Sequence, residues 1–225
     1  MNMENNQLFG SGASMDELKK QYGRLSWWKW FEETATLNDE PVSIGYVKGP
    51  LQIDGDLVLD EDPWAVIIDG DVSIKGTVIC QTPEERTSTL VVLGNLQAHN
   101  LFFSGSARLS IEKEATLNGF VVGTGGDSGG SLDVNGKLIA RGVLLDYHTP
   151  ANAKQINALV MCGPGWPTKP DFMDGDHPEL FEQSVLDRGG PFVDLYLLKK
   201  VAQAGEPVFN QVVEETWRTK KGLSV

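Results

Sequence analysis

Cysteine is scarce in this sequence: Cys80 and Cys162 are the only two among 225 residues. Two thiols cannot build the disulfide framework of a small secreted domain. Each is expected as a small buried hydrophobe, and the reducing cytoplasm is the expected compartment. Basic residues are outnumbered, 19 Lys and Arg against 31 Asp and Glu, which leaves a formal net charge of -12 and a pI near 4.6. That balance argues against a nucleic-acid binder that neutralises phosphates and against an anionic membrane surface; a basic protein is the natural partner. Long apolar runs are missing, and Met1 to Ser14 lack the basic start and apolar stretch of a signal peptide, so neither membrane spanning nor export is expected. Nor is there a phosphate-binding glycine loop, a dinucleotide fingerprint or a paired-cysteine zinc pattern. No cofactor and no bound metal are expected.

What the sequence does hold is repetition. Counting from Gly55, Gly70, Gly94, Lys113 and Gly136, the positions four and two before each anchor are Leu51/Ile53, Val66/Ile68, Leu90/Val92, Leu109/Ile111 and Leu132/Val134. Two and four after come Leu57/Leu59, Val72/Ile74, Leu96/Ala98, Ala115/Leu117 and Leu138/Ala140. A period of two that runs through a turn describes strands with one buried face. From the second anchor on, Gly76, Asn100, Gly119 and Gly142 each precede a third apolar run, so a repeat supplies about three strands between corners. Their spacing is too irregular for a propeller or a leucine-rich array, and no unit holds a helical period. The expected fold is mainly β, a single-stranded parallel β-helix (solenoid) of about five coils with helical flanks at both ends.

Three regions follow: 1–45, a disordered start plus an N-terminal capping helix; 46–150, the parallel β-helix; 151–225, a loop and C-terminal helical region packed on it. Ser14 and Glu17 stand at capping-box spacing, and Met15 to about Phe31 reads as one helix with Leu18, Tyr22, Leu25 and Trp28 on one stripe. The cluster Trp27, Trp28, Trp30 and Phe31 either seals an end of the β-helix or anchors a partner. After Pro150 a stretch rich in Pro and Gly is expected as loop. Helices are expected over Pro178–Leu186, Pro191–Ala204 with Gly205 as a stop, and Val208–Lys220 with Phe209, Val212, Val213 and Trp217 inward. Flanks at both ends would cover the unpaired strand edges there and keep the molecule a monomer or small homo-oligomer.

Gly126-Asp127-Ser128-Gly129-Gly130 resembles the nucleophile loop of chymotrypsin-like proteases. That chemistry needs a base histidine and an orienting aspartate. The one histidine upstream, His99, falls on a repeat position shared with Lys75, Asn118 and Arg141, where side chains face outward. The motif reads instead as a glycine-rich turn between repeats. Asp146-Tyr147-His148 and Asp174-Gly175-Asp176-His177 add polar groups, but spacing brings no third ligand to either. No catalytic residue and no enzyme activity are expected.

Asp54, Asp56, Asp60, Glu61, Asp62, Asp69 and Asp71 form an acidic run without a Lys or Arg. Because Asp54-Gly55-Asp56 and Asp69-Gly70-Asp71 flank successive anchors, they are expected one above the other. The row reads as solvated corners, as an acidic face for a partner or as a hard-cation site. For a partner, these acids with Trp27 and Trp30 are the candidate contacts.

The stretch Leu90-Val91-Val92-Leu93-Gly94-Asn95-Leu96-Gln97-Ala98-His99-Asn100-Leu101, with Leu132 to Val143 and the closing Asp146-Tyr147-His148, resembles bacterial bactofilin-like, or polymer-forming cytoskeletal, β-helical proteins. The likeness covers about 51–150, and more loosely the tail ending in Gly205-Glu206-Pro207-Val208. It implies the fold more specifically than a function. Bactofilins polymerise end to end, whereas similar helix-flanked proteins look like cytoplasmic immunity partners of secreted polymorphic toxins. The large flanks here depart from the filament pattern. The resemblance thus implies an immunity, or antitoxin-like, protein that binds and occludes a cognate toxin domain, with a self-associating structural scaffold as the alternative.

Overall fold

A computed structural model describes residues 14–37, 42–60, 64–83, 86–125, 129–146, 149–162, 170–188 and 190–223. The fold is mainly β, a parallel solenoid of about five turns, as the alternation predicts. Turn one is β1 (Ser43–Lys48), β2 (Leu51–Ile53) and β3 (Leu57–Leu59); turn two is β4 (Trp64–Asp69), β5 (Val72–Ile74) and β6 (Thr77–Gln81). Turn three is β7 (Thr87–Val92), β8 (Leu96–Ala98) and β9 (Asn100–Ser104); turn four is β10 (Ser106–Ile111), β11 (Ala115–Leu117) and β12 (Phe120–Thr124). The long β13 (Ser131–Leu145) bends round all three sides of turn five. A last rung, β14 (Ala151–Cys162), lies beyond it, followed by the short β15 (Phe172–Met173).

Stacking these turns builds a three-sided prism. Face A holds β1, β4, β7, β10 and the starts of β13 and β14. Face B holds β2, β5, β8, β11 and their middles. Face C holds β3, β6, β9, β12, their ends and β15. The alternating residues, from Leu51 and Ile53 to Ala158 and Val160, pack inside as one continuous core. No turn alone could bury that face; each uses its neighbours.

Two expectations about the repeat need correction. Gly55 is not the equivalent of Gly70: a Cβ on Gly70 would sit 2.5 Å from the Gly49 carbonyl, and Leu51 pairs with Val72. Gly49, with φ +93, therefore turns the first A/B corner, while Gly55 lies at the B/C corner beneath Gly76, whose N–H it accepts at 3.0 Å. The two Asp-Gly-Asp tripeptides occupy different corners. Nor is 151–162 a loop: it is the β14 rung, in which Lys154 and Gln155 stand near the A/B corner where every earlier turn but the fourth places glycine. The start expected at 46 likewise falls inside β1.

The flanks lie along the sides of the prism and not across its ends. The helix expected over Met15–Phe31 is two, α1 (Met15–Tyr22), opened by the Ser14–Glu17 capping box, and α2 (Trp28–Leu37). Gly23 ends α1, donating its N–H to Lys19 O, and Leu25 is left exposed in the turn. Trp27, Trp28 and Phe31 pack on Ala65, Ile67 and Val91, the outward residues of face A. The disordered start expected at the N-terminus lies outside the described residues. On face C, outward Phe102, Phe120, Val122, Leu144 and Leu159 are buried under the C-terminal region.

That region holds less helix than its prolines suggest. Pro178–Leu180 and Gln183–Val185 are single 3-10 turns, and Phe181 bridges antiparallel to Phe209. The next helix starts at its Asp194 cap and not at Pro191, giving α3 (Leu195–Gln203); Gly205 follows at φ +73. Asn210 caps α4 (Gln211–Lys221), where Phe209 is buried and Val212 is exposed, not inward.

Candidate binding face

Coverage divides the three faces. α2 packs on β4 and β7 of face A, and α3 on β9 and β12 of face C. Among the described residues neither flank packs on the outward row of face B. There each short strand points one side chain out, and in register these are Gln52, Ser73, Gln97, Thr116, Ile139 and Asn157. The first three are exposed and the rest half-buried. Parallel pairing from rung to rung holds the row in register, and a depression between Gln52, Ser73, Gln97, Asp71 and Asn95 marks its first half.

The acidic residues rim this face instead of stacking on one corner. Asp71 stands at the A/B corner, and Asp54 and Asp56 at the B/C corner. The three residues of β2 span about 10 Å between them. Several of these carboxylates also hold the fold. Asp56 Oδ1 accepts the Thr77 N–H at 2.7 Å, and Asp71 Oδ1 accepts the N–H and Nδ2 of Asn95 at 2.8 and 3.1 Å. Asn95 passes the pattern on, its Oδ1 accepting the Glu114 N–H at 3.2 Å, and Asn100 Oδ1 accepts the Phe120 N–H at 2.9 Å. Asp54 pairs with Lys75 at 2.9 Å on the open surface, an attraction worth at most about 1 kcal/mol there.

Asp69 belongs elsewhere. Its Oδ2 accepts the hydroxyls of Tyr22 (2.9 Å) and Tyr46 (3.3 Å), so it pins α1 to face A. Burial, with the bonds to Tyr46 and Asp69, pushes the Tyr22 hydroxyl well above its ordinary value and keeps it a donor. Asp60 is exposed beyond β3, and Glu61 and Asp62 lie outside the described residues. Trp27 is 1% exposed and edge-on to Phe31, so it is core and not a partner anchor; Trp30 is half-buried. The reason is α2's pitch: Trp27, Trp28 and Phe31 fall on the stripe that meets face A, and Trp30 falls off it.

The remaining candidates are quickly placed. His99 is exposed at the B/C corner, as its repeat position predicts. His177 Nδ1 meets Glu179 at 2.9 Å, with its ring edge-on to Trp217. Gly126-Asp127-Ser128, Tyr147-His148 and residues 163–169 lie outside the described residues. Burial raises the Cys80 thiol far above its ordinary value and pushes Cys162 up to about 11, so both stay protonated in the core. Among the described residues no group of three His, Cys, Asp or Glu could hold a metal ion, and no helix is long and apolar enough to cross a membrane.

Sequence reasoning missed face B as a surface. The signal was there: its first four strands alternate apolar and polar, while Trp64–Ile68, Leu90–Leu93 and Phe102–Phe103 run apolar without a break, the mark of strands buried on both sides. No family model, curated protein or solved structure matches the chain.

Proposed function

We propose that this chain acts by binding, as an immunity or antitoxin-like inhibitor whose bare face B occludes a cognate, basic protein domain. One observation carries the reading: the chain's own flanks pack on two faces of the prism, while among the described residues neither packs on the third, whose first turns present Gln52, Ser73 and Gln97 rimmed with Asp54, Asp56 and Asp71. Parallel rungs fix that surface before any partner arrives, which lowers the ordering cost of docking. A net charge of -12 speeds encounter with a basic domain and makes the rate depend on salt. The resemblance to helix-flanked immunity proteins points the same way.

The test is co-expression with the product of the neighbouring gene. The pair should co-purify, the chain should protect cells from that product, and Gln52→Arg with Gln97→Arg should abolish both without changing thermal unfolding. If the double variant still protects, face B is not the interface. If no neighbouring product is toxic, the inhibitor reading falls.

A specific observation supports a second reading, a self-associating scaffold. At one end of the prism β14 carries an edge over Asn152–Asn157 without a strand partner among the described residues. The rest of that edge is blunted. Asp171 Oδ2 accepts the Val160 N–H (2.7 Å), Lys221 donates to Ala158 O (2.8 Å), and β15 pairs with its end. Light scattering and electron microscopy at micromolar concentration decide: filaments support the scaffold, and a monodisperse monomer removes it.

A further inference from the structure

The outer side of face C ends in a polar row that its covering does not absorb. Gln81, Ser104 and Thr124 share one register position on β6, β9 and β12. A hollow of about 240 Å³, lined by Gln81, Thr82, Pro83 and Ser104, opens at one end of the row. Thr82 is only 7% exposed, yet its hydroxyl has no hydrogen-bond partner among the described residues. A buried hydroxyl left so costs about 1–3 kcal/mol.

One rung further, about 4.8 Å along the stack, α3 brings an amine to the row. Lys199 Nζ donates to Thr124 Oγ1 at 2.8 Å. This is a poor site for an ammonium ion, because its one bonded partner among the described residues is a neutral hydroxyl. Asp146, whose charge acts on Lys199, spends its carboxylate on the Gly125 N–H (2.8 Å) and the Thr149 hydroxyl. Burial pushes the Lys199 amine down to about 8, and Asp146 pulls the other way. An ammonium carries three donors, and two remain unused. Ser104 and Thr82 can donate as well, so the row is rich in donors.

We propose that Lys199, Thr124, Ser104 and Thr82 bind a small oxyanion, a phosphate or carboxylate group. Its oxygens take the two spare amine protons and the Ser104 hydroxyl, and a rotation about χ1 turns Thr82 to meet it in the hollow. Such charge-assisted bonds are about twice as strong as neutral ones and supply the counter-charge Lys199 lacks. The site is independent of face B and of any partner there.

The full chain should be titrated with inorganic phosphate and, separately, with acetate at constant ionic strength, following backbone amide resonances. Saturable shifts confined to Ser104, Thr124 and Lys199 are expected with at least one ion, and the two arms tell a phosphate site from a carboxylate site. Affinity should fall about tenfold in Lys199→Met and less in Ser104→Ala. Shifts that never saturate, or that survive unchanged in Lys199→Met, overturn the proposal. Lys199→Gln serves the same purpose should the methionine variant fail to fold.

Discussion

Faces A and C differ from face B in what their outward residues are, although all three are built from the same rungs. Where α2 and α3 pack on A and C, the outward residues are apolar, among them Ala65, Ile67, Val91, Phe102 and Val122. On B they are Gln52, Ser73, Gln97 and Thr116, followed by Ile139 and Asn157, and among the described residues neither flank packs on them. The inside of the prism is apolar behind all three faces, lined mostly by Leu, Val, Ile and Ala, with Trp64, Phe103, Cys80 and Cys162 among them. Solenoid formation and surface assignment are therefore written in alternate residues of the same strands. One register holds the stack together, and the other decides which side is offered to a partner.

Four measurements would break or sharpen that contrast. The largest effect is expected on a covered face: Phe31→Ala, which empties the contact between α2 and face A, should cost about 3–5 kcal/mol in chemical denaturation. A loss below 1 kcal/mol would mean that the flank is not a working part of the fold. Asn100→Ala stands at the boundary between B and C, where its amide holds the Phe120 N–H and Ala202 O. Stability should drop by about 1–3 kcal/mol, because a buried donor is orphaned.

Lys199→Met should shift stability the other way. Folding lowers this amine from 10.5 to about 8, so between those values the unfolded chain holds a proton that the folded chain has released, and native stability rises with pH. The cost of burying the charge is thus fully present below pH 8. The methionine variant should be more stable at pH 7 by on the order of 1–2 kcal/mol, with the advantage shrinking towards pH 10.5. A pH-independent difference would show that the amine is not desolvated. The smallest effect belongs to the bare face: Gln97→Ala should move stability by less than about 0.5 kcal/mol, while weakening any partner that binds there. A large destabilisation would show that face B is structural.

How much of this was legible in the residues depended on which register they occupy. Inward positions announce themselves by alternation, which is why Leu90, Val92, Leu96 and Ala98 give the coil so directly. The phase of the first turn was harder. Asp54-Gly55-Asp56 and Asp69-Gly70-Asp71 are the same tripeptide, yet one turns into face C and the other into face B. Only the strand before each corner separates them, and Ser43–Lys48 is a weakly patterned strand with Gly45 inside it. The last rung hid for a related reason: with Lys154 and Gln155 near its corner, Ala151–Cys162 carries no glycine to mark the bend. The aromatic cluster was visible as a cluster, but its placement on a side and not an end needed Ala65, Ile67 and Val91 to be seen facing outward. The acidic run was visible as charge, while its hydrogen bonding to the next rung was not, because those partners lie about twenty residues away.

The corner bonds have a direction. Asp56 serves Thr77, Asp71 serves Asn95, Asn95 serves Glu114, and Asn100 serves Phe120. In every one of these the side chain belongs to the earlier turn and the N–H to the later. As the chain emerges from the ribosome, each acceptor is made before the donor that needs it, so a new turn closes on a template already standing. The stack is built like masonry, from its first course, and a chain cut short at its C-terminal end leaves the lower courses with their corner bonds complete.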